Sequence, residues 1–125
     1  MAKVYVSSFD LLAARHVRDV LTAAGHAVTS TWHEPGSARA TADEDWRGLI
    51  GGRNDLEIRS SDVLVLVACK NDVPGGKFVE AGIAIGAGKP VVVLGHRENR
   101  VLWHPLVKAV SGTEDLPSAV EHWRG

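Results

Sequence analysis

The chain has 125 residues, 45% of them apolar, and a formal net charge of −1 at pH 7, which fits one soluble domain built on one core. That near-neutral balance supplies no basic field for nucleic acid or another polyanion, and the apolar runs are too short to cross a bilayer. No leader is visible before the first strand, and the single cysteine, Cys69, offers no internal disulfide and suits a reducing compartment, so a cytoplasmic location is expected.

Residues 3–7, Lys-Val-Tyr-Val-Ser, read as a short strand. Tyr5 within it is core filling, with a hydroxyl that needs a partner. Ser7-Ser8-Phe9-Asp10 makes the first strand-to-helix turn. It holds neither GxGxxG nor GxxxxGK[ST], so it supports neither a Rossmann dinucleotide site nor a P-loop. Ser8 or Asp10 is suited to cap the helix that follows.

Residues 11–24 place Leu12, Val17, Val20, Leu21 and Ala24 at helical spacing, and Gly25 stops the helix. Arg15 and His16 lie in its second turn, on the wet face or within reach of an anion at the helix start. Residues 27–32 read as a second strand. Trp32 at its end either stacks on a ligand ring or caps the core. The polar connection 33–41 leaves the carboxyl edge of the sheet, where binding loops are common.

Residues 42–60 read as a helix capped by Thr41 or Asp43, with Trp46, Leu49, Ile50 and Ile58 on its apolar side. Gly48, Gly51 and Gly52 weaken it by roughly 1 kcal/mol each relative to alanine. Asp55, near its end, is held close to the next strand by Asp62. Residues 63–69 are a continuous apolar run, the mark of a strand buried on both faces, and Cys69 at its end reads as a small core residue rather than a thiol nucleophile.

A loop of Lys70 to Lys77 follows, then a helix over 78–87 with Gly88 as its stop and Pro90 beyond. Residues 91–94 form a second buried strand. The unit is βαβ, and Glu80 is placed in the first turn of its helix, just past the carboxyl end of a central strand. That edge is where open α/β sheets bind ligands. The amides of Gly75, Gly76 and Lys77 are positioned to cradle an anion at the helix start.

Residues 95–100 are a polar loop. Residues 101–110 are a short helix or turn, broken by Pro105, that leads to an edge strand near 108–110. Residues 116–123 form a closing helix with Pro117 in its first turn. The alternation argues an α/β class fold: a single three-layer α/β/α domain spanning 1–125, with a five-stranded parallel sheet in the flavodoxin-like order 2-1-3-4-5. Six histidines show no ligand spacing, so neither a metal nor a cofactor is expected. Four tryptophans in a small chain, Trp103 and Trp123 among them, point to apolar surface for a homodimer or larger homo-oligomer.

Three segments together resemble the nucleoside 2-deoxyribosyltransferase family. They are Lys3-Val4-Tyr5-Val6-Ser7, then Asp55-Leu56-Glu57-Ile58-Arg59-Ser60-Ser61-Asp62-Val63-Leu64-Val65, then Gly76-Lys77-Phe78-Val79-Glu80-Ala81-Gly82-Ile83-Ala84. The turn Gly88-Lys89-Pro90-Val91 is also similar to the family's. The segment here reads FVEAGIA where the family has a FELGYA-type sequence, so Ala81 and Ile83 depart from the pattern.

The resemblance implies cleavage or transfer at the N-glycosidic bond of a nucleoside or nucleotide, through a covalent glycosyl-enzyme intermediate. It implies Glu80 as the nucleophile, Asp55 as the acid that binds the base and shuttles its proton, and Tyr5 as the residue that orients the nucleophile. Asp72, on the loop before Glu80, is the candidate to touch sugar hydroxyls or the base. Ser7, Phe9, Trp32, Gly75 and Gly76 complete the expected substrate-binding set. Two other classes stay open: a nucleotide N-glycosidase or TIR-like NAD-cleaving hydrolase, and a non-catalytic module that binds a nucleotide-like ligand.

Overall fold

The computed structural model describes residues 1–34, 44–68 and 76–123, with backbone alone over 44–50. Five parallel strands, β1 (Lys3–Ser7), β2 (Ala27–Val28), β3 (Val63–Val67), β4 (Val91–Leu94) and β5 (Val107–Val110), form one sheet in the order β2-β1-β3-β4-β5. This is the expected order. The α-helices among the described residues are α1 (Leu11–Ala23), α2 (Glu44–Arg59), α3 (Gly76–Gly86) and α4 (Leu116–His122). Among the described residues no helix is long and apolar enough to cross a membrane.

The period of two along each strand sorts the core into two layers. Val4, Val6, Val63, Val65, Val67 and Val92 face Ala14, Val17 and Leu21 of α1 and Leu116 and Val120 of α4. Tyr5, Leu64, Leu66, Val91 and Val93 face Ile58 of α2 and Ala81 and Ala84 of α3. All five residues of β3 are buried, which is why that run is apolar at every position. β3 pairs with β1 on one side and β4 on the other, with Leu64 beside Tyr5 and Val91.

Local polar chemistry sets the entries and exits. Asp10 caps α1, its Oδ1 accepting from Leu12 N at 2.9 Å and Ala13 N at 3.2 Å. Asp62 accepts from Lys3 N at 2.8 Å and its own N–H donates to Lys3 O at 2.7 Å, locking β1 and β3 in register.

Two expected boundaries move. The second strand ends at Val28 rather than at residue 32. The reason lies on β1: Val6 N–H donates to Ser30 Oγ at 3.0 Å, and Val6 O accepts from Trp32 Nε1 at 2.7 Å. Side chains thus take the ladder positions that a longer strand would have used. The helix expected from residue 78 begins at Gly76, so Glu80 lies in its second turn. The first-turn dipole argument for Glu80 therefore loses most of its force, because that effect fades within one turn.

Gly95 leaves β4 at φ +113°, and a Cβ there would meet Ala68 O at 2.8 Å. Both the backbone conformation and the space exclude a side chain. Gly95→Ala is expected to cost on the order of 1–3 kcal/mol, measured by denaturant unfolding against wild type.

Candidate active site

Tyr5 and Ser7 are two residues apart on β1, so both side chains leave the same face of the sheet, the one covered by α2 and α3. α3 lays Ala81 and Ala84 on that face, and these small residues let the helix backbone approach closely. Glu80 is thereby carried over the carboxyl end of β1. Tyr5 Oη donates to Glu80 Oε2 at 2.5 Å, and Ser7 Oγ donates to Oε1 at 2.7 Å. Each carboxylate oxygen has one hydroxyl donor.

The electrostatics follow from that geometry. Burial pushes the Glu80 carboxyl above its ordinary value; the hydrogen bonds from Tyr5 and Ser7 pull it back in part, and the charge of Glu57 adds to the rise. Burial, then the Glu80 charge and hydrogen bond, push the Tyr5 hydroxyl far above the usual phenol range. Tyr5 therefore stays protonated and acts as a donor.

Glu80 opens on a cleft of about 310 Å³ whose walls include Phe9, Trp32 and Ser8. Asn54 of α2 and Gly76 and Lys77 of α3 complete the lining. Phe9 is 57% exposed, and Trp32 is fixed through its indole hydrogen bond to Val6 O and an edge contact with the His33 ring at 5.3 Å. Two aromatic faces beside a held carboxylate suit a ligand with a flat ring and a reacting centre next to it. The Asn54 carboxamide has its Oδ1 buried without a hydrogen-bond partner among the described residues. Lys77 is buried, with Nζ donating to Glu98 Oε1 at 2.7 Å and lying 5.2 Å from the Phe78 ring centre. Larger hollows lie between β5 and α4 and beside α3 near Trp103, at about 390 and 500 Å³, but neither reaches Glu80.

The structure brings together Tyr5, Ser7, Phe9, Trp32, Gly76 and Glu80. Ser7 takes a different place from the one expected. It is fully buried and its hydroxyl is committed to Glu80, so it supports the carboxylate instead of lining the cleft. Asp55 is not brought to the cleft. Successive helical residues are about 100° apart, and on α2 Asp55 turns outward to Arg59, Oδ1 to Nε 2.9 Å, while Asn54 faces in. Arg15 donates to His33 O at 2.7 Å, a structural use of that side chain. Asp72, Gly75 and Cys69 lie outside the described residues.

Asn54 was not singled out from the sequence; Lys77 was named there only for its backbone amide, and Ser8 only as a possible helix cap. For Asn54 a signal existed: Ile58, four residues on, is apolar and buried, and i, i+4 residues share a helix face. For the side chains of Lys77 and Ser8 as cleft lining, the sequence offered only their nearness to Glu80 and Ser7.

Neither a protein-family model nor a curated protein matches the chain. Solved structures do match its fold. A 2-deoxyribosyltransferase from the psychrotolerant bacterium Bacillus psychrosaccharolyticus superposes with a TM-score of 0.77 at 23% identity, covering 93% of this chain and 90% of that one. A CMP N-glycosidase of Clostridium botulinum gives 0.62 at 13% identity, covering 95% and 98%. A conserved protein from Enterococcus faecalis V583 gives 0.59 at 17%, covering 97% and 98%. At these identities the likeness establishes the three-layer fold.

A carboxyl whose folded-state pKa is raised binds its proton more tightly folded than unfolded. Its ionisation therefore lowers stability as pH rises from the ordinary carboxylate range through the raised value. Glu80→Gln removes that contribution. Thermal melts from pH 4 to pH 7 are expected to show wild type losing stability relative to Glu80→Gln as pH increases.

Proposed function

We propose that the protein is an enzyme that cleaves or transfers at the N-glycosidic bond of a nucleoside or nucleotide, with Glu80 as nucleophile. One observation carries the reading: a carboxylate at the carboxyl edge of the sheet, gripped by two buried hydroxyls, opens on a cleft with two aromatic walls. Fold likeness to a 2-deoxyribosyltransferase and a CMP N-glycosidase is consistent with it.

In the proposed reaction an ionised Glu80 oxygen attacks C1′ of the sugar. The C1′–N bond breaks, its electron pair leaves with the base, and the base takes up a proton. Positive charge develops at C1′ in the transition state, where a fixed carboxylate stabilises it. A water or a second base then attacks C1′, releasing Glu80. Burial supports the nucleophile's role, because a carboxylate with higher proton affinity is also the better nucleophile. Tyr5 and Ser7 orient it. Phe9 and Trp32 offer faces for the base, and Asn54 offers a hydrogen-bonding edge without a titrating group. Asp72 remains our candidate for the sugar hydroxyls or the base proton.

The test is base release over a panel of nucleosides and nucleotides, with and without an acceptor base. Free base without an acceptor identifies a hydrolase, exchange identifies a transferase, and an intact bound ligand would leave a binding module. Glu80→Gln is expected to lower turnover by at least about 10²-fold, since the amide neither traps nor stabilises the developing cation. Because the reactive form is ionised, activity should rise with pH through a midpoint above the ordinary glutamate value. Wild-type turnover by Glu80→Gln on a confirmed substrate would refute the mechanism.

A homo-oligomer is also part of our proposal. Trp103 is 69% exposed and Val101 52%, beside Gly82 and Gly86 of α3, whereas Trp123 spends its indole N–H on Leu106 O at 2.8 Å. The contact is therefore assigned to Trp103. Sedimentation at high micromolar concentration should show a dimer or larger species that Trp103→Glu dissociates.

A further inference from the structure

Glu57 is a second carboxylate withdrawn from solvent, 15% exposed, and the chemistry proposed for the cleft does not use it. It lies three residues beyond Asn54 on α2, on the same side of the helix. Its two oxygens take both donors of Thr31: Oε1 accepts from Thr31 N at 3.0 Å and Oε2 from Thr31 Oγ1 at 2.6 Å. Its backbone carbonyl accepts from Thr29 Oγ1 at 3.3 Å, and Arg53 Nε stands 3.9 Å from Oε2. The next residue after Thr31 is Trp32, a wall of the cleft, whose indole reaches Val6 O. Val6 sits between Tyr5 and Ser7, the two residues that hold Glu80.

We propose that Glu57 is a positioning residue for the Glu80 cleft: its carboxylate clamps Thr31, sets Trp32 against β1, and so fixes one wall of the cleft and the strand that grips Glu80. The assignment rests on the reading of the cleft given above. A loop exit needs no charge to be tied down, and a withdrawn carboxylate carries a desolvation cost that a neutral pair avoids. Here the charge has a second consequence. Among the described residues the groups around Glu80 are Tyr5 and Ser7 from β1, Glu57 from α2 with Arg53 beside it, and Lys77 from α3, which is matched to Glu98. Glu57 is the acid among them that strengthens proton binding at Glu80.

Three variants separate the two effects. Glu57→Gln keeps the length and hydrogen-bonding capacity but not the charge; Glu57→Ala removes both; Thr31→Val removes one clamped donor. Glu57→Ala is expected to raise KM about tenfold through the loosened wall, with a smaller fall in kcat because the strand that grips Glu80 loosens with it. It should also speed hydrogen exchange of the Trp32 indole N–H, read by NMR, and Glu57→Gln should restore most of both. Thr31→Val should reproduce part of the Glu57→Ala effect and add little to it in the double variant.

Glu57→Gln should move the Glu80 titration midpoint, followed by carboxyl-carbon NMR and assigned with Glu80→Gln, to lower pH. The two NMR readings need no substrate, so they decide the role of Glu57 even if base release fails and the reaction itself is refuted. Unchanged Trp32 exchange in folded Glu57→Ala, or an unmoved Glu80 midpoint in Glu57→Gln, overturns the proposal. If Glu57→Ala does not fold, Thr31→Val and Glu57→Gln give the same readings.

Discussion

The structure depends on holding one half-buried carboxylate, at the edge of a cleft, through hydroxyl groups. Among the described residues no ion pair holds Glu80; Tyr5 and Ser7 supply one hydrogen bond to each oxygen. A cation would hold the acid firmly ionised and lower its reactivity, since proton affinity and nucleophilicity fall together. Hydroxyls lower the cost of the buried charge without cancelling it. The neighbouring ammonium, Lys77, is kept to Glu98 at 2.7 Å. The result is a carboxyl held in place but still unsettled electrostatically, a state found mostly where a group has chemistry to do.

Much of this was legible in the sequence because it follows from periodicity. The apolar run at β3 and the βαβ unit around Glu80 are consequences of strand and helix repeat, whereas the place of Ser7 beside Tyr5 on the same carboxylate was not read there. What was not legible depended on helical phase and on side chains replacing backbone. α2 carries three glycines and little amphipathic signal, so the sequence could not say whether Asn54 or Asp55 turned inward; the packing of Ile58 decided it. The start of α3 moved by two residues because glycine and lysine read as loop, yet Gly76 and Lys77 open the helix. The short second strand was hidden for a different reason. No propensity scale reports that Ser30 and Trp32 will bond across to Val6.

The site is also built from few elements. β1 supplies the hydroxyls, α3 the acid, and the turn after β1, the segment after β2 and α2 the walls. Each is fixed to β1 by a polar contact as well as by the core: Asp62 to Lys3, Trp32 to Val6, Glu80 to Tyr5. A central strand buried on both faces is among the last parts of a fold to open. Anchoring the cleft to it holds the geometry around Glu80 in the most protected part of the sheet.

The same pair of side-chain bonds to Val6 bears on solubility. β2 is an edge strand only two residues long, so the carboxyl half of β1 would otherwise present bare N–H and C=O groups at the side of the sheet. Such groups template the addition of a strand from another molecule. Ser30 and Trp32 occupy both of them with groups that cannot propagate a ladder. The residue that walls the cleft thus also closes the sheet against edge-to-edge aggregation, and a substitution of Trp32 chosen to alter ligand preference would open that edge.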